Sequence, residues 1–244
     1  MDLLGQVNLL LLDRQDFISD DVVCVSGRRH DQLRSVIKVF PGKMCRAGVL
    51  GGMRGHAEVL ECTDSETRLR FIAQDEPPPP LPVTLLVALP RPQTYTKVLN
   101  CAVEMGVKRI DFINSFKVEK SFWQGSRLKP EYIENELRLA LEQCADTIMP
   151  EIHFHPRFKP FIEDELPEIS PGAARIAGIP GAHSVPEDFA GKPTVLAVGP
   201  EGGFTDYENE FLQANGFTGV GLGPHILRTE FAVAALLARL SVRI

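Results

Sequence analysis

The sequence predicts an α/β protein in two parts: a small β-rich domain over residues 1–75 and a larger domain with a mostly parallel sheet over residues 83–244. Three observations carry this expectation. The segment 76–82 holds four consecutive prolines at 77–80, which can continue neither a helix nor a central strand and instead make a stiff extended linker. Before it, short stretches rich in valine and leucine are broken by Gly42, Gly48, Gly51, Gly52 and Gly55, as strands joined by turns would be. After it, short apolar runs alternate with segments of helical period, the pattern of a sheet whose strands are connected by helices.

In chain order, the leucines at 9–12 read as a short buried strand; with no cation before Arg14 they make a poor export signal. A helix is expected at about 28–40, because Leu33, Val36, Ile37 and Phe40 fall at i, i+3, i+4 and i+7. His30, Arg34 and Lys38, spaced by four, would form a separate basic row on it. Beyond the prolines, a buried strand at 83–89 leads to a helix at about 93–105 with Leu99, Ala102 and Val103 inward. A strand at 110–113 follows, then a helix at about 130–146 with Ile133, Leu137, Ala140, Leu141 and Cys144 on one face. The last part reads as a strand at 194–198, a helix at about 206–214, a strand near 218–222 and a final helix from about Arg228. Thr205 and Glu208 have the spacing of a capping box at the start of the 206–214 helix.

Composition narrows the function. With 44% hydrophobic residues the chain can build a core, yet its longest apolar run, residues 231–238, falls far short of the ~20 residues a bilayer span needs. No membrane partner is expected. The five cysteines (Cys24, Cys45, Cys62, Cys101, Cys144) are odd in number and form no C-x-x-C pair, which argues against a disulfide framework or a zinc knuckle and for a reducing cytoplasm. His153 and His155 would share one face of a strand, but no Cys or third His stands suitably near, so no metal is expected. Trp123 reads as a packing anchor. The net charge is −6, but between Gly27 and Arg54 the cations Arg28, Arg29, Arg34, Lys38, Lys43, Arg46 and Arg54 face a single acid, Asp31. Such a stripe is either a footprint for phosphate or a solvated face.

Two glycine-bearing loops are the candidates for chemistry. Gly199-Pro200-Glu201-Gly202-Gly203 follows the strand at 194–198, and Gly219, Gly221 and Gly223 alternate in the next strand and its exit. Neither is a Walker loop or a dinucleotide fingerprint. Both would leave strands at their carboxyl ends, where ligands of open α/β sheets sit, and Ile226-Leu227 would add apolar walls. Arg228 would stand at the start of the last helix against the local dipole, so an anionic partner is expected for it, whereas Glu230 in that first turn is favoured by the dipole alone.

These residues resemble a known family. GPEGG followed by LGPHILRTE, with EMGV at 104–107 and ALEQ at 140–143, is similar to the RsmE family of 16S rRNA uridine-N3 methyltransferases in the SPOUT superfamily. The resemblance implies a trefoil-knotted methyltransferase domain behind an N-terminal PUA-like β-barrel that binds RNA, acting as a homodimer on 16S rRNA. It also implies S-adenosylmethionine (SAM) in loops that fall at Ile179-Pro180, at Gly199, Pro200, Glu201, Gly202 and Gly203, and at Leu222, Gly223, Pro224, Ile226 and Leu227. Arg228 is the expected catalytic residue, with Glu201 and Glu230 as candidate proton acceptors. The chain departs from the family pattern at Asp146 and His225, which lower the positive charge expected on the RNA side, and at Phe231. From the residues alone, methylation of a ribose 2′-hydroxyl and non-catalytic RNA binding stand as alternatives.

Overall fold

The structure, a computed structural model, describes residues 9–183, 189 and 191–241. The chain forms two compact units: residues 1–79 with 138–149, and residues 80–137 with 150–244. Residues 138–149, which the sequence reading places in the second domain, thus group with the first unit. There Arg138 donates to both carboxylate oxygens of Asp13 (3.1 and 2.9 Å), and Thr147 bonds to Gly51 and Gly52.

In the first unit, β1 (Leu10–Leu12), β2 (Val22–Ser26), β3 (Met44–Val49), β4 (Arg54–Cys62) and β5 (Glu66–Asp75) form one sheet in the order β1-β3-β4-β5-β2. Its pairs are antiparallel except β1 with β3. Alternate side chains point inward because a strand has period two, so Val23, Val25, Cys45, Ala47, Ala57, Val59 and Leu69 form the core with Leu10 and Leu12. The five cysteines are free, and burial pushes the Cys45 thiol up to about 11, which keeps it unreactive. Among the described residues no ladder joins β1 to β2, so the sheet is open where a closed barrel is expected.

The helix after β2 departs from its expected pattern. It begins as α1 (Gly27–Asp31), widens into a π-helical turn over Gln32–Ile37, and stops at Lys38, whose φ of 53° is left-handed. Widening the turn shifts the apolar stripe: Leu33 and Ile37 stay buried, but Val36 and Phe40 are 62% and 61% exposed. His30 belongs to no basic row; it is buried, with Nδ1 2.8 Å from the Thr67 hydroxyl. Asp146 is no surface charge either, since its buried carboxylate accepts the amides of Thr147 (2.6 Å) and Ile148 (3.0 Å).

The basic stripe is largely consumed inside this unit. Arg28 makes a forked pair with Glu142 (2.9 and 2.7 Å), and Arg29 a forked pair with the buried Asp16 (2.5 and 2.7 Å) plus a bond to the Leu11 carbonyl. Lys43 donates to the Ile37 carbonyl and Arg54 to those of Ala145 and Glu76. Arg34 pairs with the exposed Asp64, a contact of small net worth in water. The side chains of Lys38 and Arg46 make no hydrogen bond or ion pair among the described residues.

The second unit contains β6 (Leu81–Ala88), α2 (Pro92–Glu104), β7 (Val107–Ile113), the first part of α3 (Pro130–Cys144) and β8 (Glu151–His155). Short helices α4 (Phe158–Pro160) and α5 (Leu166–Ile169) flank a π-helical turn, and β9 (Ala174–Gly178), β10 (Thr194–Val198), α6 (Asp206–Ala214), β11 (Thr218–Val220) and α7 (Thr229–Leu240) complete it. All strands are parallel, in the order β11-β9-β10-β6-β7-β8. Leu85 to Ala88 and Val195 to Val198 are buried throughout, as sheets covered on both faces require. The chain runs outward through β6, β7 and β8 and then returns to the other side, which opens a crevice at the carboxyl ends of the strands.

The histidines of β8 belong to a hydrogen-bonded polar network. His155 Nε2 lies 2.8 Å from the buried Asp111, which also accepts the Arg109 guanidinium, and His153 lies 3.2 Å from Glu151. Among the described residues no group of three or more His, Cys, Asp or Glu could hold a metal ion, and no helix is long and apolar enough to cross a membrane.

This division of the basic run has a measurable consequence. Arg29→Ala strands the buried Asp16 carboxylate and is expected to cost about 3 kcal/mol of stability in urea unfolding, whereas Lys38→Ala should stay within about 0.5 kcal/mol of wild type. Equal effects would contradict a structural role for Arg29.

Candidate active site

The carboxyl ends of β9, β10 and β11 enclose a cavity of about 240 Å³. Its lining comes from four places: Gly178, Ile179 and Pro180 at the end of β9; residues 198–203 at the end of β10; residues 220–223 with His225, Ile226 and Leu227 at the end of β11; and Thr229, Ala232 and Leu236 on α7. Of the residues expected to hold a cofactor, all but Pro224 meet here. His225, read as a charge lost from the RNA side, also lines this cavity.

Glycine is required where the loops pack backbone to backbone. A Cβ on Gly199 would stand 2.8 Å from the Phe204 nitrogen, and one on Gly221 would collide with the Ala182 carbonyl. The Gly221 amide donates to the His183 carbonyl (2.6 Å) and the Ile179 amide to that of Val220 (2.8 Å), so the loops after β9 and β11 are stitched together. The capping box appears as expected: Thr205 Oγ1 accepts the Glu208 amide, while Glu208 accepts the Thr205 amide (2.8 Å). The other oxygen of this buried carboxylate accepts the Phe116 amide (2.8 Å) from the loop after β7. Beside it, Lys117 Nζ donates to the Gly202 carbonyl (2.5 Å).

The charged candidates are placed differently from one another. Arg228 is the N-cap of α7, exposed, with no side-chain hydrogen bond among the described residues. Its nearby anion is internal, because its charge helps to stabilise ionised Glu230. Glu230 is only 8% exposed. Burial alone would raise its pKa, but the backbone amide, the Lys97 ammonium at 3.2 Å and the Arg228 charge together hold it below the usual range. A carboxylate so held is a weak proton acceptor near neutral pH, which disfavours Glu230 as the base. Glu201 is exposed at the cavity and accepts the Arg91 amide (3.1 Å).

Sequence reasoning missed Gly178, Val198, Val220, Thr229, Ala232 and Leu236 as lining residues. A usable signal existed for three of them: Thr229, Ala232 and Leu236 fall at i, i+3 and i+7 and share one face of α7. No such pattern marks the others.

Residues 77–241 match the family model described as RNA methyltransferase domain. The chain is 22% identical over 238 residues to ribosomal RNA small subunit methyltransferase E of Treponema pallidum, covering 95% of this chain and 90% of that protein. Its fold is shared with a methyltransferase of Legionella pneumophila solved with bound SAM (TM-score 0.75, 19% identity, 96% and 97% of the two chains). The ribosomal RNA small subunit methyltransferase E of Neisseria gonorrhoeae, also solved with SAM, is similar to the same degree (TM-score 0.73, 19% identity, 96% of each chain). With the match spanning the whole parallel-sheet unit and the loops that enclose its cavity, the chain belongs to the RNA methyltransferase domain family.

Proposed function

We propose that this protein is a SAM-dependent methyltransferase that methylates N3 of a uridine in 16S rRNA, working as a cytoplasmic homodimer. The observation that carries the reading is the cavity built by three glycine-bearing loops at the ends of β9, β10 and β11. The name and coverage of the Treponema pallidum relative support the substrate. The residues fit the cofactor chemically. The cavity lies a little below the ~300 Å³ at which small-molecule sites begin, and its walls are mostly aliphatic. Six glycines among its lining residues leave backbone amides and carbonyls open to close approach, and Glu201 supplies one carboxylate for a cationic ligand.

SAM supplies an electrophilic methyl group on a sulfonium, so the protein's task is mainly placement. Ile179, Ile226, Leu227 and Ala232 would offer apolar surface to the flat adenine, with the backbone of 199–203 and 222–223 reading its polar edge. Uridine N3 carries a proton at neutral pH and lies on the pairing edge, so the base must be unpaired and its developing charge stabilised. Arg228 is suited to that charge: it follows the lining residue Leu227 directly, and its side chain is uncommitted. Glu201 is the better candidate proton acceptor, while Glu230 serves to hold Lys97 and offset Arg228.

The N-terminal unit would supply RNA affinity as a PUA-like module, through Lys38, Arg46 and the exposed Arg34 rather than through the whole basic run. The trefoil knot would lie in the segments that contribute loops to the cavity; the packing of Gly221 on the Ala182 backbone is consistent with chain passing tightly against chain.

Two substitutions separate cofactor binding from chemistry. Ala232→Phe adds bulk to the cavity wall without touching a strand and should weaken SAM binding by calorimetry at least about tenfold. Arg228→Gln should leave SAM affinity and melting temperature unchanged while lowering methyl transfer to 16S rRNA about 100-fold or more, with the product mapped by mass spectrometry. A methyl group found on ribose, or normal turnover in Arg228→Gln, would contradict the proposed chemistry.

A further inference from the structure

A second cavity, of about 380 Å³, opens at the carboxyl end of β7. It is built from Asn114, Ser115, Phe116 and Val118 on the loop after the strand, Lys120 and Trp123 on the following turn, Phe158 on α4 and Glu208 on α6, whose carboxylate is taken up by backbone amides. Phe158 packs on Phe204 and Phe211, but the other two aromatic rings are not spent on the core. Phe116 is 84% exposed, and Trp123, expected as a packing anchor, is only half-buried. The indole Nε1 donates to the Asn114 side-chain oxygen (3.2 Å), and since an indole can only donate, the Asn114 amide is fixed with its two N–H groups left over. Ser115 is 5% exposed, and its hydroxyl has no hydrogen-bond partner among the described residues.

The loop is also held beside the first cavity. Lys117, between Phe116 and Val118, reaches the carbonyl of Gly202, and Phe116 is tied through its amide to Glu208. One side-chain contact therefore joins a wall of the cofactor cavity to the loop that carries the second one.

We infer that the second cavity is a subsite for one unpaired nucleobase of the RNA substrate, stacked on Trp123 and Phe116 and read by the Asn114 amide and the Ser115 hydroxyl. The inference rests on the RNA methyltransferase reading and assigns that enzyme a place for the extruded base. An extruded base offers two π-faces and a polar edge, which is what aromatic rings flanked by fixed amide donors accommodate. The carbonyl oxygens either side of uracil N3 accept such donors, and Lys120 at the same cavity suits the adjoining phosphate. The base is either the methylated uridine or its neighbour.

Trp123 is the only tryptophan in the chain, so its emission reports on this cavity alone. The full-length protein is titrated with fluorophore-labelled oligouridylate and with an abasic ribose-phosphate chain of equal length, anisotropy reporting binding. Quenching of Trp123 by the first and not the second is expected. Phe116→Ala, at a site too exposed to affect folding, should weaken oligouridylate binding about 5- to 100-fold and leave SAM affinity by calorimetry unchanged. In methyl transfer to 16S rRNA, a fall in kcat places the target uridine in the cavity, and a rise in KM alone places its neighbour there. Oligouridylate that binds without quenching, together with wild-type kcat and KM in Phe116→Ala, would overturn the subsite and leave the methyltransferase reading standing. A wild-type protein that neither binds RNA nor transfers methyl would overturn both.

Discussion

Close contact of backbone with backbone is the constraint on which the parallel-sheet unit depends. At Gly199 a side chain would run into the backbone of its own loop at Gly203 and Phe204, and at Gly221 into Ala182 of the loop after β9. The Gly221 contact, with the amide bonds Gly221–His183 and Ile179–Val220, holds the loops after β9 and β11 together, while the loop after β10 closes on itself; the cavity is the space the three leave. A small-molecule site made this way presents peptide groups rather than long side chains, so its polar groups are fixed in place before a ligand arrives.

The rest of this unit braces that arrangement. Glu208 satisfies the start of α6 and at the same time the Phe116 amide, so one buried carboxylate couples the loop after β7 to the loop that follows β10. Lys97 and Glu230 tie α2 to α7 at the end that carries Arg228. Arg228 is the exception to this bracing: a charged N-cap whose dipole cost is offset by Glu230 and whose side chain is left over. Groups with structural partners hold the site, and groups without them are free to act on a substrate.

The parallel-sheet unit was the more legible of the two. Buried strands with continuous apolar runs, the capping box at Thr205 and Glu208, and the two glycine loops all follow from local rules, and each stands where the sequence puts it. Strand β9 was not visible, because Ala174 to Gly178 is short and weakly apolar, and β8 showed only in the alternation of His153 and His155, because Glu151 to His155 is largely polar. The first unit was harder to read. A single π-helical turn put Val36 and Phe40 outside, and long-range partners such as Asp16 and Glu142 turned Arg29 and Arg28 from surface cations into structural ones. Neither partner lies within helical reach of its arginine, so no local spacing could have found it. Trp123 shows the same limit: its half-exposed place at a cavity depends on the loop after β7 and on α4, remote in sequence from each other.

The central claim, that the three loops after β9, β10 and β11 form the cofactor site, is tested most directly by amide hydrogen exchange with and without SAM. The expected result is slowed exchange in 178–180, 199–203 and 221–227, with the first unit unaffected. Protection elsewhere in the chain, or none in these loops while SAM is bound, would contradict it.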